Sequence, residues 1–217
     1  MEATGLDLAA TRAMLLRVAE RMQESKDHLS DLDRAIGDGD HGIGMARGFE
    51  AVHAALEGKS FDSVGSLLQA VGTALMMSIG GAAGAVFGTL FRGGGAGLRD
   101  ERTFGSRALG RLLADGLAAV TARGGAKPGD KTMIDALAPA AARVQALGDV
   151  PVAEALAAAA DEARRGMEST KQMLAATGKA KTLGERALGH ADPGAESTHL
   201  ILRFMAEFAA SAAGRKA

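Results

Sequence analysis

Apolar residues recur along this chain at helical spacing, and period-two alternation is almost absent. Leu8, Leu15, Val18 and Met22 mark a first helix, with Thr4 and Asp7 as start signals and an end near Asp27 or Ser30. Met45, Phe49, Val52 and Leu56 mark a second, stopped at Gly58. Asp62 or Ser63 caps a third that carries Val64, Leu67, Leu68, Val71 and Leu75. Gly80-Gly81 breaks it, and Val86, Phe87, Leu90 and Phe91 form a short fourth that ends at Gly93-Gly94-Gly95. Residues Thr103 to Thr121, Lys131 to Leu147, Val152 to Leu174 and Ala195 to Ala212 supply the fifth to eighth. Eight amphipathic helices on short links predict an all-α fold, a bundle or barrel, in one domain spanning 1–217. The β-α-β alternation of a Rossmann or P-loop fold is missing, and so is a Walker sequence.

The acidic stretch Asp33-Arg34-Ala35-Ile36-Gly37-Asp38-Gly39-Asp40-His41-Gly42 interrupts this pattern. Gly37 and Gly39 oppose a helix, and alternating Asp opposes a strand, so the segment reads as a tight loop. Asp38 and Asp40, two apart, can point the same way, and Asp33 can lean over the same spot. Crowded carboxylates repel one another unless a cation joins them. Oxygen ligands suit a hard cation such as Mg²⁺, which also takes phosphate oxygens. An ordinary Asp-Gly turn explains the same spacing without a metal. An EF-hand does not fit, because the twelfth position counted from Asp33 is Gly44 where that loop needs Glu.

Composition narrows the class. The 217 residues include no Cys, Trp or Tyr, which excludes disulfides, thiolate metal sites and a Cys nucleophile. A formal charge of −1 gives no general affinity for nucleic acid or acidic membranes. Met1 to Ala10 holds two acids and no basic run, unlike a secretory signal, so a soluble cytoplasmic protein is expected. Leu67 to Phe91 lacks charge and repeats Gly80, Gly84 and Gly88 at spacing four, as a membrane helix pair would. Ser78 and Gly80-Gly81 divide it into pieces too short to span, so a buried helix pair is the expected outcome. The glycine turn that opens the second piece presents free N–H groups and a positive dipole end, where phosphate binds.

Two further links carry unusual chemistry. One runs from Gly124 to Met133, and in it Thr132 suits either a helix cap or a contact to base or phosphate. The other, Leu183 to Gly194, is long for a bundle connection and holds Arg186 and His190, which can serve the loop's own carbonyls. In an antiparallel arrangement these two links, the acidic loop and the Gly80 turn all meet at one end.

Read in order, the Asp33–Gly42 stretch, Ser78-Ile79-Gly80-Gly81-Ala82, Pro128-Gly129-Asp130-Lys131-Thr132-Met133, and Leu183-Gly184-Glu185-Arg186 with Gly189-His190-Ala191-Asp192-Pro193-Gly194 closely resemble the dihydroxyacetone kinase L subunit family. The resemblance covers nearly the whole chain. It implies an eight-helix barrel with ADP or ATP and Mg²⁺ at one end, and a separate K-type subunit that holds the ketose through its own histidine. It further implies either a phosphotransferase-system M-type subunit that recharges bound ADP, or exchangeable ATP. By motif, Asp33, Asp38 and Asp40 would hold two Mg²⁺ ions. His41, Gly42, Ile43 and Gly44, with Ala82 and Ala83, would cradle phosphate. Gly124, Thr132 and Met133 would border the adenosine, and Asp192, Pro193 and Gly194 would form a flap over it. Two positions depart from the pattern. Ala83 stands where Ser is frequent. Lys179 stands where Arg is frequent and cannot make a bidentate fork. The expected function is the nucleotide-bearing subunit of a short-ketose kinase; the alternative is a nucleotide-binding regulatory module without turnover.

Overall fold

The computed structural model describes residues 5–214, which form nine α-helices and one two-stranded ribbon. In chain order the helices are α1 (Leu8–Glu24), α2 (Lys26–Ile36), α3 (His41–Leu56), α4 (Val64–Ser78), α5 (Gly81–Ala96), α6 (Ser106–Gly124), α7 (Met133–Leu147), α8 (Val152–Ser169) and α9 (Pro193–Gly214). The all-α expectation holds. Packing contacts pass from α1 to α3 and then between consecutive helices as far as α9, which packs back on α1, so the sequence of contacts closes on itself. Phe49, Phe87, Phe91, Phe104 and Phe204 are fully buried among Leu and Met side chains. Full burial of one such side chain contributes about 1.5–3 kcal/mol.

Three local differences have physical causes. The expected first helix divides at Ser25, whose N–H and hydroxyl both donate to Arg21 O, at 3.1 and 2.8 Å. The chain bends there, and α2 then runs on to Ile36. Asp7 caps α1 by accepting from Ala10 N at 2.8 Å, whereas Thr4 lies outside the described residues. Residues Thr103–Gly105 are not helical. They form β2, paired antiparallel with β1 (Gly5–Asp7), and α6 begins at Ser106.

The third difference is that α5 continues through Gly93-Gly94-Gly95 to Ala96. These glycines let neighbouring helices touch. A Cβ on Gly94 would lie 2.3 Å from Leu112 O, and one on Gly95 would lie 2.9 Å from Leu68 Cβ. Of the spacing-four glycines, Gly84 and Gly88 act in the same way within this molecule, while Gly80 turns the chain ahead of α5. A Cβ on Gly88 would stand 2.6 Å from Met76 Cβ and 2.8 Å from Gly72 O, where α4 and α5 cross. Among the described residues, no helix is long and apolar enough to cross a membrane.

Candidate Mg–nucleotide site

The links α2–α3, α4–α5, α6–α7 and α8–α9 come together at one end. His41 Nε2 lies 2.8 Å from Ser197 Oγ. A Cβ on Gly44 would lie 3.3 Å from Ile79 O, and Ala176 N donates to Asp130 O at 3.1 Å. Lys179, from the 3-10 stretch Lys179–Ala187, donates to Asp38.

Asp33, Asp38 and Asp40 each offer a carboxylate oxygen, and the three oxygens lie within 4.8 Å of one another. Asp33 projects from the last turn of α2 and accepts from His41 N at 3.2 Å. Gly37 folds the chain over that carboxylate, since a Cβ there would lie 2.2 Å from Asp33 Oδ1. Gly39 has φ +80, the left-handed region that favours glycine, and it turns Asp38 and Asp40 toward the same side. Lys179 Nζ also stands 3.6 Å from Asp40 Oδ2. Its ammonium, hydrogen-bonded to Asp38, holds the Asp38 carboxyl below the usual range, and Asp38 in turn raises Lys179. Three mutually close carboxylates, all oxygen donors, fit a hard divalent cation.

Two helix N-termini flank the triad. At α3, Gly44 N donates to Asp40 O at 2.9 Å and His41 N is held by Asp33. Gly42 is buried against α2, where a Cβ would lie 2.0 Å from Lys26 O, while Ile43 is exposed. Burial, opposed by the charges of Asp33 and Asp40, lowers His41 and favours a neutral imidazole. At α5, Gly80 (φ +81) and Gly81 (φ +55) open the helix, so Gly81, Ala82 and Ala83 supply its first N–H groups, which have no partner within the helix. Ala83 presents a methyl where a Ser would present a hydroxyl.

On the other side, Thr132 caps α7. Its Oγ1 accepts from Ile134 N at 3.2 Å, and Asp135 Oδ2 accepts from Thr132 N at 2.8 Å. Met133 begins α7 and is buried, with Gly194 facing it; a Cβ on Gly194 would lie 3.5 Å from Met133 Cβ. Gly124, at the end of α6, faces open space and makes no such approach. Asp192 Oδ2 accepts from Ala195 N at 2.7 Å, and Asp192 N donates to Thr170 Oγ1 at 2.9 Å, so the segment before α9 is tied to the end of α8. Pro193 is the first residue of α9.

A family model described as DAK2 domain matches residues 35–207, which run from the acidic loop almost to the end of α9. The chain belongs to the DAK2 domain family. Within that family it is 37% identical over 194 residues to the PEP-dependent dihydroxyacetone kinase, ADP-binding subunit DhaL, of Escherichia coli, covering 88% of this chain and 92% of that one. It is 34% identical over 194 residues to the D-erythrulose kinase of Mycolicibacterium smegmatis, covering 88% of this chain but 33% of that one. The crystal structure of the dihydroxyacetone kinase from C. freundii in complex with AMP-PNP and Mg²⁺ superposes with a TM-score of 0.72 at 28% identity, covering 94% of this chain and 34% of that one.

Several residues that shape this DAK2 site escape a sequence reading. Lys131 is only 2% exposed and has φ +59. Its ammonium donates to Thr170 O at 2.5 Å and His190 O at 2.6 Å, joining the α6–α7 link to both ends of the α8–α9 link. Burial lowers Lys131, while Asp192 and Asp135 oppose that shift. Glu196, also buried, accepts from His28 on α2 at 2.9 Å and from His199 at 3.1 Å. Burial pushes this carboxyl up, but the hydrogen bonds from His199 and His28 outweigh that and leave it below its usual range. One signal for these contacts was present: Glu196 and His199 are three apart on one helix face.

Burial pushes Asp192 up to about 7, against the pull of the Ala195 N–H and Lys131. A carboxyl raised in the folded state favours folding fully below its unfolded pKa of about 4, and that contribution is lost as pH rises to the folded value. Asp192→Asn keeps the helix cap without the charge. The variant should therefore gain stability relative to wild type as pH rises from about 4 to 7. Urea unfolding across that range checks this; a constant difference between the two proteins would refute it.

Proposed function

We propose that this chain is the nucleotide-carrying subunit of a short-ketose kinase. It binds ADP or ATP with Mg²⁺ and supplies the phosphoryl group to a ketose held by a separate K-type subunit. The observation that carries this reading is the Asp33, Asp38 and Asp40 cluster at the meeting of two helix N-termini, in a DAK2 chain that closely resembles ADP-binding subunits. The three aspartates would hold the metal, as two ions. Mg²⁺ bound there supplies charge neutralisation on the phosphates.

The chain's own residues do the rest. The N–H groups of Gly42 and Ile43 on α3, and of Ala82 and Ala83 on α5, aim their helix dipoles at phosphate oxygens. His41, kept neutral and next to Ser197, fixes the start of α3 without adding charge. Lys179 brings a positive charge to the open side of the triad, where phosphate arrives. Thr132 and Met133, with Gly124 at the rim, border the adenosine. Asp192, Pro193 and Gly194 close over it. The PEP-dependent relatives favour recharging of bound ADP by a phosphorylated M-type subunit over free exchange of ATP.

The family resemblance assigns the ketose to a histidine of the K-type subunit, so the isolated chain should not phosphorylate dihydroxyacetone. Adding a K-type subunit, together with a phosphoryl source, should produce the ketose phosphate. Coupled assays of the chain with and without that partner test this. Turnover by the homogeneous chain alone would overturn the division of labour, and failure of every K-type partner to restore turnover would favour a regulatory role.

A further inference from the structure

We propose that Arg47 is a positioning residue that locks the two phosphate-facing helix N-termini, those of α3 and α5, into one rigid cradle. The proposal rests on the nucleotide reading above. α4 ends at Ser78, and its last carbonyls have no partner within the helix. Arg47, on the second turn of α3, reaches them with a planar fork. Its Nε donates to Ser78 O at 2.6 Å and its Nη2 donates to Ile79 O at 2.6 Å. Two parallel bonds from one guanidinium fix direction as well as distance, which an ammonium cannot do.

A second contact holds the same segment from the other side. Ile79 is buried over the glycine face of α3. A Cβ on Gly48 would lie 2.3 Å from Ile79 Cγ1, and one on Gly44 would lie 3.3 Å from Ile79 Cγ2. Ile79 is thus seated on α3 while Arg47 clamps its carbonyl. Gly80 and Gly81 follow at once, both with positive φ, and α5 starts there. Glycine has the widest backbone freedom of any residue. Directly before the N–H groups of Gly81, Ala82 and Ala83, such freedom would blur their aim. Arg47 belongs to the same helix as His41, Gly42 and Ile43, so the clamp sets α5's donors relative to α3's. This preorganisation favours a ligand that touches both ends at once.

A plain cap on α4 would make the same hydrogen bonds but would serve stability alone. The two roles separate in Arg47→Met and Arg47→Lys. In Arg47→Met, amide exchange at Gly84, Ala85 and Val86, whose N–H groups close the first turn of α5, should accelerate about tenfold while α9 amides keep their protection. Calorimetry should show Mg·ADP affinity about tenfold weaker, with adenosine affinity unchanged, because only the phosphates meet the cradle. Arg47→Lys should recover less than half of the lost ADP affinity, because one ammonium cannot replace the fork. If exchange accelerates but ADP affinity is kept, Arg47 is only a cap and the proposal fails. Unchanged exchange at Gly84 to Val86 also overturns it. A wild-type chain that does not bind Mg·ADP overturns the nucleotide reading itself, whereas equal binding by wild type and Arg47→Met overturns this inference alone.

Discussion

Replacing either Asp38 or Asp40 by Asn should abolish measurable binding of Mg·ADP, a loss of ~100-fold or more, while leaving the helices folded. The amide keeps the size and shape of the carboxylate. It removes the negative charge and the anionic oxygen that a hard cation requires. Both side chains are about half exposed or more, so neither supports the core, and the ion pairs with Lys179 lie at the surface, where such pairs contribute little. Asp40→Asn relieves crowding among the carboxylates and Asp38→Asn gives up only a surface ion pair with Lys179, so the apo variants should stay close to wild type in stability. Calorimetry with ADP in Mg²⁺ buffer, paired with thermal unfolding of the same samples, separates a binding defect from a folding defect. Wild-type affinity in both variants would remove the metal from the account.

The second large effect is expected at Lys131. Lys131→Met keeps most of the side chain's length and removes its ammonium. Thr170 O and His190 O would then lose their donor in a buried place, and Asp192 and Asp135 would lose a nearby positive charge. Unsatisfied buried groups cost about 1–3 kcal/mol each, and disruption of a buried charge network costs more. The loss should be roughly 2–4 kcal/mol in urea unfolding. It should appear first as loosening of the segments around residues 170 and 190, which carry the proposed nucleotide flap. A loss below about 1 kcal/mol would mean that water replaces the ammonium and that the two links hold without it.

The helical class was legible because apolar residues keep helical spacing in every long segment, from Leu15, Val18 and Met22 to Leu109, Leu112 and Leu113. The meeting of four links at one end followed from that, given antiparallel neighbours. Other features were not legible. The break at Ser25 comes from a hydroxyl turned back on Arg21 O, and Leu29 and Ile36 continue an apolar pattern across it. The ribbon of Gly5–Asp7 with Thr103–Gly105 is three residues long on each side, too short for a period to appear. Gly93 to Gly95 read as a stop, but tight packing against α4 and α6 overrides their low helix propensity.

At the site, the acidic triad stood out because three carboxylates in eight residues are costly without a reason. Lys131 did not, because its burial and its positive φ exist only once the α8–α9 link folds over it. Arg47 was hidden for the same reason. Its partners are backbone carbonyls at the end of another helix, and a carbonyl leaves no mark in a sequence.

The most direct test of the proposed Mg–nucleotide site is a calorimetric titration of the wild-type chain with ADP, once in Mg²⁺ and once with a chelator that removes all divalent ions. The geometry of Asp33, Asp38 and Asp40 predicts saturable binding in Mg²⁺ and none with the chelator. Equal affinity in the two buffers would show that the triad takes no part in holding the nucleotide, and the central claim would fall.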